Sequence, residues 1–207
     1  MAYPVTSDAT AYCGVTDTDH AELLTTFLTY AIDIVEKETG RVFDTASSDA
    51  AIKYFDTEVD VDGQTLYLGN EDLLSVSVDT DGYLEINTGD STTNLVASDV
   101  IYLAPNTTPY YAIKIKGMTG YTWSYTDEPT NAISVKGLWG YSTTVPADIT
   151  YAILRLVKWM FSQRATNADL DRPLLTGDGV TIMPAKLPGD VLSILKKYKK
   201  VRVGAPA

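Results

Sequence analysis

The sequence predicts an α+β protein in which N- and C-terminal helices form a small helical base and an antiparallel β module is inserted between them. Apolar residues recur at helical spacing near the N-terminus and again in the last third of the 207-residue chain. The middle instead alternates apolar with polar residues and is interrupted by turn dipeptides. We therefore expect three segments: 1–48 begins the base, 49–144 is the inserted module, and 145–207 completes the base.

The first predicted helix begins beside a candidate capping box, in which the Asp19 side chain accepts from a free N–H and Glu22 lies three residues on. One apolar face follows at helical spacing: Leu23, Leu24, Phe27, Leu28, Ala31, Ile34 and Val35. Gly40 stands where a left-handed C-terminal residue ends such a helix.

The inserted module is rich in tyrosine, threonine and β-branched residues, which favour strands. The predicted strands are 53–59, 65–68, 73–78, 83–86, 112–116 and 132–137. Turns are predicted at Asp62-Gly63, Asp81-Gly82 and Thr88-Gly89. Strands this short and closely spaced indicate an antiparallel sheet structure.

An acidic run at 58–62 resembles a calcium loop only superficially, because position twelve of that loop would be Gly69 instead of a bidentate acid. Alternation predicts instead that Glu58, Asp60 and Asp62 share one solvated face of an edge strand. Asp79 and the residues after it are predicted to form a hairpin turn.

The closing part of the chain predicts two helices. Pro146 suits a first turn, and an apolar stripe follows it: Ile149, Ala152, Ile153, Leu156, Val157, Met160 and Phe161. A loop containing glycine and proline is expected over 165–184, and Pro188 then opens a short last helix. Its core-facing candidates are Val191, Leu192, Leu195 and Tyr198.

Charge is distributed unevenly along a chain of net charge −11. Residues 1–135 carry 22 acidic and 5 basic side chains, whereas residues 136–207 carry 5 and 11. The acidic part repels phosphate, which argues against general nucleic-acid binding there. The basic residues near the C-terminus favour a solvated helix end over a surface that docks on an acidic partner or DNA.

The sequence offers no catalytic, cofactor or metal motif. His20 is the one histidine and Cys13 the one cysteine, so neither a zinc ligand set nor an intrachain disulfide is available. No phosphate-binding loop or nucleophile elbow occurs. We therefore expect a protein that is not an enzyme, and, since no run approaches roughly 18 apolar residues, one that is soluble.

Aromatic residues gather in or near the inserted module, at Tyr110, Tyr111, Tyr121, Trp123 and Tyr125. They favour a buried sheet face or a protein interface. A sugar-binding platform is the alternative.

Three stretches, taken in order, resemble the head-tail connector (adaptor) family of tailed bacteriophages, in particular its members with an inserted β region. The first, at 19–43, is a helix that closes in a Thr-Gly-Arg turn at 39–41. The second, at 133–164, is a strand and Gly-Tyr loop followed by a helix that opens with Val-Pro. The third, at 187–202, is similar to the closing helix of the family.

The resemblance implies a mechanical role at the virion neck, in a protein made in the host bacterial cytoplasm. Such proteins form a ring, typically of twelve copies, below the portal, where they extend the DNA channel without sequence-specific binding. The implied partners are the portal protein, neighbouring copies and the next neck or tail-completion protein, with no membrane and no cofactor. The candidate portal or neighbour interface is Arg155, Lys158, Arg164, Lys196, Lys197, Lys199, Lys200 and Arg202.

Two alternatives stand beside this interpretation. One is a tail-completion or decoration protein that uses the β module. The other is a carbohydrate-binding module built on the tyrosine-rich region.

Overall fold

The computed structural model describes residues 2–15, 20–45, 50–89, 94–104, 106–166, 174–175, 181–182 and 187–200. It has helices and antiparallel sheets, which confirms the predicted α+β class. The chain divides into two compact units. We call the residues up to Gly40 and from Val145 to Lys199 the helical unit, and Arg41–Thr144 with Lys200 the β unit.

The helical unit contains α1 (Thr6–Cys13), α2 (Ala21–Thr39), α3 (Ala147–Thr166) and α4 (Gly189–Tyr198). Its buried side chains come from the predicted stripes: Leu24, Leu28, Ala31, Val35, Ile149, Ala152, Ile153, Leu156, Val157, Val191 and Leu195. Gly40 ends α2 as predicted, with a φ of 68° and its N–H donating to the Glu36 carbonyl at 2.7 Å. The Asp19 side of the predicted capping box lies outside the described residues.

Two polar contacts fasten α4 to α3 within the helical unit. The Tyr198 hydroxyl donates to Asp148 Oδ1 at 2.7 Å, and Arg155 Nε donates to Asp190 Oδ2 at 3.0 Å. Together they fix the two ends of α4 against α3, beside the buried Val191 and Leu195. Part of the loop expected at 165–184 forms a short antiparallel pair, β9 (Leu174–Leu175) with β10 (Thr181–Ile182).

The β unit holds two four-stranded antiparallel sheets. The first has the order β1–β8–β4, with β5 also on β8, and the second has the order β2–β3–β7–β6. Their strands are β1 (Ala51–Phe55), β2 (Val61–Asp62), β3 (Thr65–Tyr67), β4 (Leu73–Val76), β5 (Ile86–Asn87), β6 (Val100–Leu103), β7 (Ala112–Ile115) and β8 (Ile133–Trp139). One buried cluster joins both sheets, and it includes Phe55, Leu66, Leu73, Ile113 and Val135.

The prediction that 53–59 is one strand, with the acids of 58–62 on one face, is wrong. Strand β1 ends at Phe55, and a turn follows it. The Asp60 carboxylate accepts from the Asp56 N–H at 2.9 Å, and the Asp60 N–H donates to the Asp56 carbonyl at 3.0 Å. These local bonds replace strand pairing, since aspartate competes well for nearby backbone groups.

The hairpin turn predicted at Asp79 is present. Asp79 Oδ1 accepts from the N–H groups of Asp81 and Tyr83 at 2.9 and 2.8 Å. Gly82 adopts a φ of 89°, which this turn requires and a side chain would oppose. The turn brings Val78 and Leu84 together as an antiparallel bridge.

Candidate functional site

The described residues hold no catalytic constellation. His20 lies at the start of α2, where its ring meets Phe161 edge to face at 5.6 Å. Cys13 ends α1, where burial raises the pKa of its thiol and the charge of Lys158 offsets part of that rise. No group of three or more histidine, cysteine, aspartate or glutamate side chains within the described ranges could hold a metal ion. The candidate sites are therefore surfaces and ionic contacts.

An ionic centre in the β unit is built around Asp72, whose side chain is 10% exposed. Arg41 Nη1 donates to both carboxylate oxygens of Asp72 at 3.0 Å. Lys200 Nζ lies 3.1 Å from Asp72 Oδ1 and also donates to the Asn70 carbonyl. The Arg41 guanidinium lies 4.8 Å from the centre of the Tyr141 ring. One buried carboxylate thus holds two cations from distant parts of the sequence.

The ionic centre lines a cleft of about 520 Å³ within the β unit. The other walls include Thr108, Tyr111 and Tyr141. Burial lowers the pKa of Lys200, and the nearby carboxylate of Asp72 opposes that shift. Because charge is nearly balanced here, the cleft holds the fold together and has no excess of one sign with which to select an ion.

The sequence reveals the Arg41 side of this centre through the Thr-Gly-Arg turn, but gives no sign of Asp72. A Glu-Asp pair before a strand is common, and the bond joins residues 31 positions apart. Lys200 was grouped with the candidate interface, yet its side chain is only 11% exposed. We therefore leave Lys200 out of any docking surface.

The other predicted interface cations fall in the helical unit. Lys158, Lys196, Lys197 and Lys199 are exposed, and none forms an ion pair with a described residue. The ammonium group of Lys158 lies 5.5 Å from the centre of the Tyr12 ring. Arg155 is already paired with Asp190. The Arg164 side chain and Arg202 lie outside the described residues.

The aromatic residues of the β unit do not form one exposed platform. Trp123 is 8% exposed, and its Nε1 donates to the Gln64 carbonyl at 2.9 Å. Tyr110 stacks on Tyr102 at 4.9 Å, and burial raises the pKa of the Tyr102 hydroxyl. Tyr111 and Tyr125 are exposed. This arrangement packs the sheets and leaves no row of rings on which a sugar would stack.

None of the helices in the described ranges combines the length and the apolar character needed to cross a membrane. No protein-family model matches the sequence, and no curated protein matches it. Solved structures of a gene transfer agent (GTA) particle do share the fold. The neck of the empty particle, computed with C6 symmetry, contains a chain that is 14% identical, with a TM-score of 0.56 over 97% of this chain and 91% of that one.

The neck of the native GTA particle, computed with C12 symmetry, contains a chain that is 16% identical. Its TM-score is 0.51, over 98% of this chain and 94% of that one. Both matches span nearly the full length of each chain. The chain therefore shares its fold with chains found in particle necks.

Proposed function

We propose that this chain is a head-tail connector subunit of a phage-like particle. It forms a ring below the portal, extends the DNA channel and docks the next neck or tail protein. The observation that carries the proposal is the fold shared, over 97% of the chain, with a chain in the neck of a GTA particle. The role is structural, which agrees with the lack of a catalytic constellation among the described residues.

A ring of identical subunits needs two different surfaces on each copy, related by a rotation that closes. The second neck structure was computed with C12 symmetry, which supports a ring of twelve for this chain too. The acidic composition of the β unit suits a channel, since like charge keeps passing DNA from binding to the wall. Residues 41–144 carry 15 acidic and 5 basic side chains.

The docking surface for the portal is the group of exposed cations Lys158, Lys196, Lys197 and Lys199 in the helical unit. These side chains have no carboxylate partner in the described part of the chain, so an acidic surface on the portal would complement them. Exposed charges of this kind govern association rate and salt dependence more than they govern stability. Their reversal should therefore weaken binding and leave the subunit folded.

The proposed docking is tested with the triple variant Lys196→Glu, Lys197→Glu, Lys199→Glu and purified portal rings. We expect the affinity for the portal to fall by at least about tenfold, because three attractive contacts become repulsive. The matched control reverses Lys37, Lys114 and Lys116, which gives the same net charge on other exposed positions. Equal affinities for the two variants, measured by sedimentation with the portal, would remove the docking surface from the proposal.

A further inference from the structure

Strand β1 has an open edge. It ends the order β1–β8–β4, so its second side pairs with no strand in the described ranges. Ile52 lies opposite Lys136, whose N–H donates to the Glu85 carbonyl and whose carbonyl accepts from the Ser77 N–H, both at 2.9 Å and both away from β1. Antiparallel pairs alternate between exchanging bonds and pointing outward. The N–H and C=O groups of Ile52, and by the same alternation of Tyr54, therefore point to the open edge.

This edge lacks the features that usually protect an edge strand. Ile52 and Tyr54 are 52% and 60% exposed and lie on the same sheet face. The one charged residue of β1 is Lys53, and it is turned to the other face, where it pairs with Glu71 and lies 5.1 Å from the centre of the Trp139 ring. The strand has no proline, and its register with β8 is unbroken. Such an edge is a template for another extended segment.

A segment of the same chain begins close by. The Lys200 side chain is fixed to Asp72 and Asn70, and the adjacent Glu71 holds Lys53 of β1. Seven residues follow Lys200. Fully extended, they reach roughly 23–25 Å, which is more than the length of a five-residue strand.

The sequence of this segment suits an edge strand. Val201-Arg202-Val203 alternates β-branched and polar residues, so both valines would share one face. Pro206 has no N–H and cannot extend a ladder. Pairing is thereby limited to residues 201–205, the same number of residues as in β1.

We propose that residues 201–207 add to the open edge of β1 of the same chain, as a fifth strand of this sheet that pairs with the main chain of Ile52 and Tyr54. The segment closes an edge that would otherwise recruit other strands. This role is separate from portal docking, and it assigns Arg202 to the β unit instead of the portal surface.

The test is residue-resolved hydrogen exchange on the full chain and on a chain that ends at Lys200. We expect the amides of Ile52 and Tyr54 to exchange at least about tenfold faster in the shortened chain, because their hydrogen bonds are lost. The Lys53 amide faces β8 and is the internal control, with an unchanged rate. Val203→Pro should reproduce the effect by removing one N–H from the ladder, whereas Ala207→Pro should not.

Equal exchange rates for Ile52 and Tyr54 in the full and shortened chains would overturn the proposal. So would protection that falls when the protein is diluted a hundredfold, since that dependence would mean that the segment comes from a second copy. If the shortened chain does not fold, the comparison of Val203→Pro with Ala207→Pro decides. None of these results depends on portal binding.

Discussion

Asp72 shows how one residue joins two distant parts of the sequence. Its carboxylate is buried and accepts from Arg41 and Lys200, so the charges compensate one another out of water. Removing one member of such a group leaves the others buried without a counter-charge, which costs more than the group gains by existing. The residue therefore matters for the stability of the β unit.

We predict that Asp72→Asn lowers the free energy of unfolding by about 3 kcal/mol, because Arg41 and Lys200 lose their shared counter-charge. Urea denaturation followed by tryptophan fluorescence measures this change. The control is Asp33→Asn, which breaks an exposed pair with Lys37 one helical turn away and should leave the midpoint unchanged. A midpoint for Asp72→Asn equal to that of the control would show that the ionic centre contributes little.

The ionic centre also shows why single residues are hard to predict. The sequence places Lys200 in one basic group with Lys196 and Lys197, because all three lie within five positions. The structure separates them, since α4 ends at Tyr198 and Lys199 leaves the helix with an extended backbone. Nothing local indicates that Lys200 meets Asp72, 128 positions earlier. Such long-range pairs depend on the fold and not on spacing.

Among the elements, β8 organises the β unit, because β1, β4 and β5 all pair with it. Its burial alternates along seven residues, as its sequence predicts for a strand with one face in the core. Gly137 lies where β4 crosses closely. A Cβ atom there would stand 2.5 Å from the Ser75 carbonyl oxygen and 2.9 Å from Leu73 Cδ1.

We predict that Gly137→Ala destabilises the β unit by about 1–3 kcal/mol, because β4 must move to admit the methyl group. Thermal unfolding by circular dichroism measures the change. Gly117→Ala is the matched control, because its nearest neighbour would be the end of the flexible Gln64 side chain at 3.3 Å. A Gly137→Ala protein as stable as the control would mean that β4 does not pack closely against β8 in solution.

The elements that the sequence predicts are those with a strong apolar period. Helix α2 and the strand at Ile133–Trp139 are found close to their predicted places. Helix α1 was not predicted, because Thr6–Cys13 buries only Ala9 and has no apolar stripe. Strand β6 was missed, and the strand predicted at 53–59 was drawn too long, since aspartate side chains form the turn after Phe55.

For the whole molecule, the α+β class follows from the order of helical and alternating segments, and the structure confirms it. The sequence has no matching family model, yet its fold is shared with neck chains that are 14 and 16% identical. Fold persists at this level because a periodic apolar pattern constrains structure while the individual side chains change. The charge separation, acidic in the β unit and basic in the last part of the chain, is a property of this sequence.

The most direct test of the connector proposal is electron microscopy of particles assembled without this gene product. We expect heads that package DNA but carry no tails, or that lose their DNA, because the ring that joins head to tail is missing. A copy of the gene supplied in trans should restore tailed particles. Normal tailed particles in the absence of the protein would contradict the proposal, since head-tail joining would then proceed without it.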